Sequence, residues 1–288
     1  MPEVITTATA RSSGLTRSAL RGPSFVRLAH GVLVRLDDAI DERDRLALLG
    51  SVLPADAAFS HYTAAALLAA PLLASPHPHV SLTPRRVLPQ HAGLVVHSRR
   101  LDADDVIEHH GPRMTSGAQT FLDLAACLPP QELVAVGDAL MRAGHLDGDL
   151  LRARLTRAGR VRGVVRARAC TPLLTPLAQS RPESIVRYWL LTSDLPDPQP
   201  QVPVHDRWGV GVAHGDLGYS DWKVLLEYEG RQHAELEQFG RDVDRYSLMA
   251  ADGWLVLRFA GRHLHGPQIV VERTRGALLS RGWRPARR

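Results

Sequence analysis

Two cysteines, Cys127 and Cys170, are all the chain has, so neither a disulfide framework nor a thiolate metal motif can be read from it. Lysine is scarcer still: Lys223 stands alone, and arginine carries the rest of the positive charge. No apolar run approaches the ~20 residues that a membrane-crossing helix needs. The opening MPEVITTATARSSG has no apolar core and does not read as a secretory signal. These absences lead us to expect a reducing, cytoplasmic setting and no membrane partner.

What is present fits two modest domains. The chain has 288 residues, 44% of them apolar, enough for sizeable buried cores. The formal net charge is +5 and the pI about 9.7. That balance suits a nucleic-acid partner, and arginine favours bidentate phosphate contacts over lysine. An arginine-rich genome would give the same skew.

Residues 1–14 are small and polar and read as a disordered leader. Residues 15–52 resemble an abbreviated winged-helix-like unit: a short helix at Thr16–Leu20, a break at Gly22-Pro23, a turn at His30-Gly31, a strand at Val32–Val34 and a helix over Asp41–Val52. Residues 53–178 alternate helices and short strands. Ser60 is placed to cap a helix running to Leu73. Strands follow at His79–Leu82 and Leu94–His97, then helices over Ala118–Leu128, from Pro129-Pro130 to Gly144, and over Asp147–Ala158. An Arg-rich helix over Gly159–Cys170 links the two halves.

From residue 179 the texture changes. The pattern predicts a helix at Ser180–Leu191, strands at Gln201–His205, Val210–Leu217 and Lys223–Glu229, a helix at Gln238–Ala251, a strand at Trp254–Phe259 buried on both faces, and a helix at Pro267–Leu279. The order is α-β-β-β-α-β-α. Side chains alternate along a strand, so Glu227 and Glu229 share a face at the end of the third strand. Two carboxylates so placed repel unless a cation lies between them, and hard divalent cations take carboxylate oxygens. Asp216, on the preceding strand, completes D-x10-E-x-E.

Other polar residues carry two readings each. Ser180-x-x-Glu183 is a capping box, and Glu183 could pair with Arg187 at i,i+4. His233, beyond Gly230, is either a general base or loop surface. Arg241 and Arg245, with Gln238 and Asp242, form one polar helix face, either a phosphate-contacting wall or a solvated surface. Lys223 lies ~13 Å upstream of Glu227 at ~3.3 Å per residue, too far to serve the site. The pairs His77-Pro-His79, His109-His110 and His263-Leu-His265 each lack a third metal ligand at a telling distance.

The element order, together with ESIVRYWL, GDLGY, LLEYEGRQH, the Gln238–Arg245 helix and GWLVLRF, resembles the PD-(D/E)XK nucleases, and most closely their very-short-patch-repair-like branch of actinobacterial type. The resemblance covers about residues 180–282. It implies an α/β, restriction-endonuclease-like αβββαβ domain at 179–288, with a basic tail, preceded by a mixed α/β region. It also implies a Mg²⁺- or Mn²⁺-dependent DNA endonuclease, a hydrolase of phosphodiester bonds, with Asp216 and Glu227 as metal ligands and Glu183, Glu229 and His233 as further catalytic residues. Gln201, Arg241 and Arg245 are the implied DNA contacts. Glu229 departs from the family: many relatives keep a lysine there, and a carboxylate cannot supply positive charge. The alternative is a non-catalytic DNA-binding regulator or antitoxin that retains the nuclease fold.

LTRSALRGPSFVRLAHGVLV, FSHYTAAALL, VVHSRRLDADDV and MTSGAQTFLDLAA resemble, in order, the AbiEi-type antitoxin region. That resemblance implies DNA binding by the leading unit, with Arg17, Arg21 and Arg27 as phosphate contacts, and a toxin protein encoded nearby as partner.

Overall fold

The computed structural model describes residues 4–16, 18–21, 25–29, 32–35, 42–68, 70, 75–86, 93–108, 111–205, 209, 211–229 and 245–285. The chain divides into two compact units, Met1–Cys127 with His145–Val164, and Leu128–Gly144 with Val165–Arg288. The fold is mixed α/β, with two mixed sheets and one small antiparallel sheet.

In the first unit, β1 (Val4–Thr6), β3 (Val32–Arg35) and β2 (Phe25–Ala29) form a three-stranded antiparallel sheet. Residues 4–12 are therefore not a disordered leader: β1 pairs Val4 with Val34 and Thr6 with Val32, and α1 (Thr7–Ser12) follows it. The helix expected at Thr16–Leu20 is a 3-10 turn at Ala19–Arg21.

After α2 (Glu42–Val52), a five-stranded sheet assembles in the order β6-β5-β4-β8-β7. Its strands are β4 (Ala58–Phe59), β5 (His79–Leu82), β6 (Val95–Ser98), β7 (Val106–Glu108) and β8 (Arg113–Thr115). Strands β5 and β6 are parallel, with Ser81 opposite His97. Helix α3 (His61–Leu67) stops six residues short of the expected Leu73. The Ser60 side chain makes no cap bond to it and instead accepts from Ser81 Oγ at 2.9 Å. Helix α4 (Gly117–Leu124) is buried along its whole length, and α6 (Gly148–Arg157) begins at Asp147, which caps it by accepting from the Asp149 and Leu150 N–H groups.

The second unit opens with α5 (Pro130–Arg142) and α7 (Val164–Cys170), then α8 (Arg181–Leu191). The unit boundary thus falls earlier than residue 179. Helix α5 packs on α8, and two ion pairs join them. Arg187 Nη2 donates to both oxygens of Asp138, at 3.1 and 2.8 Å, and to Leu173 O at 2.6 Å. Arg181 pairs with Glu132. Burial pushes the Asp138 carboxyl up, against the pull of Arg187.

The sheet of this unit runs β12-β11-β10-β9. Its strands are β9 (Gln199–His205), β10 (Gly211–Tyr219), β11 (Val224–Glu229) and β12 (Leu255–Ala260). β9, β10 and β11 are antiparallel neighbours, and β11 and β12 are parallel. Helix α9 is described over 245–251 and precedes β12; α10 (Pro267–Ser280) follows it. The α-β-β-β-α-β order read from the sequence is therefore present. β12 is not buried on both faces: it is an edge strand, half-buried over most of its length. The centre is β11, whose Val224, Leu225, Leu226 and Glu227 are all buried. Alternation splits its side chains. Val224 and Leu226 join Ile185, Val186, Trp189 and Leu190 of α8 and Val270 and Leu278 of α10. Leu225 joins Val202, Val204, Met249 and Tyr246, on the α9 side. Lys223 is not in the strand. It holds the left-handed position of a turn, φ 49°, and its ammonium donates to Asp252 O at 2.8 Å.

Candidate active site

The ladder between β10 and β11 runs Tyr219–Val224, Gly218–Leu225, Leu217–Leu226 and then stops. Continuing that register one step sets Asp216 beside Glu227. There the backbone N–H of Tyr228 donates to Asp216 Oδ2 at 2.8 Å, so a carboxylate takes the place of a ladder carbonyl. Close approach of the two strands at this point depends on glycine: a Cβ at Gly215 or Gly218 would meet Leu225 Cδ2 at 2.6 or 2.8 Å.

Glu183, Asp216 and Glu227 line one small cavity of about 10 Å³ with Val186, Leu217, Leu226, Tyr228 and Phe259, the room a single water-sized species needs. Burial lifts all three carboxyls above their ordinary range. Asp216 lies between the other two electrostatically, for its charge raises both Glu183 and Glu227.

Each carboxylate has distinct partners. Glu183 is at the start of α8, where its N–H donates to Ser180 Oγ at 3.3 Å, while its own Oε2 accepts from Gln179 N at 2.8 Å. That is half of the expected capping box, and the expected i,i+4 pair with Arg187 is replaced by the Arg187–Asp138 bridge. Gln201, in the left-handed region at φ 51°, reaches Glu183 Oε2 with its Nε2 at 3.4 Å. Glu227 Oε2 accepts from Tyr246 Oη at 2.5 Å and from Arg245 Nη2 at 3.1 Å. Glu227 Oε1 is buried without a hydrogen-bond partner. Glu229 is half-exposed and pairs with Arg258, which stands opposite Glu227 in the β11–β12 register. Two guanidinium groups lie over the Tyr246 ring, with Arg245 Cζ 4.9 Å and Arg258 Cζ 4.6 Å from its centroid. Burial and the bond to Glu227 push the Tyr246 hydroxyl up to about 12.

The structure therefore brings Glu183, Asp216, Glu227 and Gln201 together, and sets Glu229 at the margin. Arg245 is engaged with Glu227 and also lowers Asp216. His233, Gln238, Arg241 and Asp242 lie outside the described residues, as do Arg17 and the side chains of Arg21 and Arg27. Tyr246 and Arg258 were not foreseen as site residues. Tyr246 falls at helical spacing with Phe239, Val243 and Ala250, a pattern that reads as an apolar stripe, and Arg258 stands beside Glu227 only through the parallel register of β12.

The residues present fit a divalent cation in one respect: an orphaned, buried carboxylate oxygen on Glu227 beside the half-buried carboxylate of Asp216, a donor set that suits Mg²⁺ or Mn²⁺. The acidic trio does not converge to ligating range by itself. Among the described residues, the one group of three or more potential ligands whose ligating atoms lie within 4.8 Å of one another is His61, His79 and His97, in the first unit.

No family model matches the chain. Two Mycobacterium tuberculosis proteins described as uncharacterized, MT2308 of strain CDC 1551 and Rv2248 of strain H37Rv, are each 29% identical over 170 residues, 57% of this chain and 60% of theirs. The chain thus matches less than two thirds of the length of these curated relatives. Among solved structures, the RV2827C protein from Mycobacterium tuberculosis superposes with a TM-score of 0.43 at 16% identity, over 64% of this chain and 75% of that one.

Proposed function

We propose that this protein is a Mg²⁺- or Mn²⁺-dependent DNA endonuclease whose second unit has a restriction-endonuclease-like core. The observation that carries the reading is the meeting of Asp216 and Glu227, from neighbouring strands, at the cavity that Glu183 also lines. Two buried carboxyls and a half-buried one, all raised by burial and two of them also by the charge of Asp216, are costly to keep together without a cation. Perturbed carboxyls in a cleft are what a catalytic metal site requires.

In this reading Asp216 and Glu227 hold the cation, Glu227 through the oxygen that has no other partner. A bound Mg²⁺ would neutralise charge on the scissile phosphodiester and acidify a water. Tyr246 and Arg245 fix the Glu227 carboxylate in one orientation. Glu183, oriented by Gln179 N–H, faces the same cavity and can accept a proton from water. Position 229 cannot give the positive charge that a lysine there would. Among the described residues, Arg245 and Arg258, both against the Tyr246 ring, are cations this reading assigns to a phosphate. His233, Arg241 and the antitoxin-like reading of residues 15–145, with its toxin partner, stand as further parts of the proposal. In the described residues no helix is long and apolar enough to cross a membrane.

One observation favours a second reading, a DNA-binding regulator that keeps the fold without turnover: Arg245 already compensates Glu227. Soaking Mn²⁺ into crystals separates the two. The nuclease reading expects density within ~2.2 Å of both Asp216 and Glu227, with Arg245 withdrawn from Glu227. An unchanged Arg245–Glu227 pair at saturating Mn²⁺ would favour the regulator. In either case DNA affinity should fall steeply with salt.

A further inference from the structure

We propose that His61, His79 and His97 form a transition-metal site of the zinc class in the first unit, distinct from the carboxylate site and independent of the nuclease reading. The ligating atoms of all three lie within 4.8 Å of one another. Tetrahedral Zn–N bonds of ~2.0–2.1 Å place ligand nitrogens about 3.3 Å apart, and His79 Nδ1 is already 2.9 Å from His97 Nε2. The three come from separate elements: His61 opens α3, His79 opens β5 and His97 lies on β6. Parallel pairing of Ser81 with His97 puts His79 and His97 diagonally on one face of the sheet.

Three features exceed what a chance cluster of histidines needs. His61 and His79 are buried and His97 is half-buried. His61 is a non-glycine residue in the left-handed region, at φ 52°, a strain of order 1–3 kcal/mol that persists where surroundings impose it. Two rings have a serine oxygen partner, which for His79 is on the nitrogen not facing His97, as ligand histidines ordinarily do. Ser75 Oγ is 3.1 Å from His79 Nε2, and Ser60 Oγ is 3.0 Å from His61 Nδ1. Behind His61, at 3.9 Å, stands Oδ2 of the fully buried Asp123. Asp123 Oδ1 accepts from Gln119 Nε2 at 2.6 Å and lies 2.9 Å from Arg99 Nη1, close enough for an ion pair but not aligned for a hydrogen bond. Oδ2 has no hydrogen-bond partner.

In the structure the rings satisfy one another by the His79–His97 contact and by stacking of His61 on His97, with centroids 3.6 Å apart. A cation replaces these with three N–metal bonds. Imidazole donors suit Zn²⁺, Cu²⁺, Ni²⁺ and Fe²⁺ rather than Mg²⁺. Burial, aided by the neighbouring rings, drives His61 down to about 3 and His97 to about 4, so the rings are neutral near pH 7, the form that binds metal. Three protein ligands leave a fourth position for water or an exogenous ligand.

The test uses the full chain, free of any histidine tag and stripped with chelator. Titration with Zn²⁺, followed by calorimetry and elemental analysis, should give one tightly held ion per chain. Co²⁺ in its place should give the intense visible bands of four- or five-coordinate nitrogen ligation. His97→Gln, chosen because this ring is the least buried, should abolish the stoichiometric site, and Ser75→Ala should weaken it by about tenfold. Asp216→Asn should leave it unchanged. Absence of saturable Zn²⁺ binding by the folded wild type, weak octahedral Co²⁺ bands, or undiminished binding by His97→Gln would overturn the proposal. Because the Co²⁺ spectrum is read on the wild type, an unfolded variant does not shield it.

Discussion

At the scale of single residues, Asp216 carries the most. It accepts the N–H of Tyr228 with one oxygen, as an asparagine carbonyl could, and its charge loads both Glu183 and Glu227. Asp216→Asn should therefore keep the bond and remove the repulsion. We expect equal or greater stability at pH 7 without metal, by about 0.5–2 kcal/mol, with loss of any Mg²⁺-dependent cleavage. The sign of the pH effect follows from the direction of the shifts. All three carboxyls have folded values above their unfolded ones, so the native state retains protons that the unfolded chain has released. Stability then falls as pH rises from the ordinary carboxylate range through the raised folded values. Urea midpoints at pH 4 through 7 check this: the wild type should lose stability across that window, and Asp216→Asn should lose less. Much of this site was legible. The D-x10-E-x-E spacing named Asp216 and Glu227 because a hairpin fixes strand neighbours within a few residues. Tyr246, Arg258 and the histidine trio were not legible, since their meeting depends on long-range packing. His79 was weighed only with His77, two residues away, while its structural partners lie 18 residues to either side. His263, read with His265, instead accepts the Ala260 N–H on its Nδ1 at 2.9 Å.

At the scale of elements, the C-terminal strands and helices followed their periodicity, and the errors are those that pattern cannot see. Strands β4, β7 and β8 have only two or three residues each, too short for alternation to register. β12 is apolar on both faces yet lies at the sheet edge. Two expectations belong here. Arg187 holds α8 to α5 through a buried pair with Asp138, not through its own helix. Arg187→Leu leaves that carboxylate buried and should cost about 3–5 kcal/mol, with much of the loss recovered in Arg187→Leu/Asp138→Leu. A double-mutant cycle by denaturant unfolding reads the coupling. Gly218→Ala would drive a methyl to 2.8 Å from both Leu225 Cδ2 and Val224 O. We expect a loss of about 1–3 kcal/mol from this overpacking, and a fall in Mn²⁺ affinity as β10 shifts Asp216.

At the scale of the molecule, the net charge of +5 and the arginine-rich composition favour a polyanionic partner, and the proposed DNA binding has an expected salt dependence. The logarithm of DNA affinity should fall linearly with the logarithm of salt concentration, in proportion to the phosphates neutralised. A flat dependence between 50 and 200 mM salt would contradict phosphate contact. This term does not depend on turnover, so it is common to the nuclease and the regulator. The two part at metal binding and at the chemistry.

Plasmid nicking decides that point. Supercoiled plasmid incubated with the wild type, Asp216→Asn and Glu227→Gln, each with Mg²⁺, with Mn²⁺ and with chelator, measures phosphodiester cleavage directly. The account predicts metal-dependent nicking by the wild type and a loss of at least a hundredfold in both variants, about 2.7 kcal/mol of transition-state stabilisation. Equal activity in all three proteins, or none in the wild type with either metal, would contradict it.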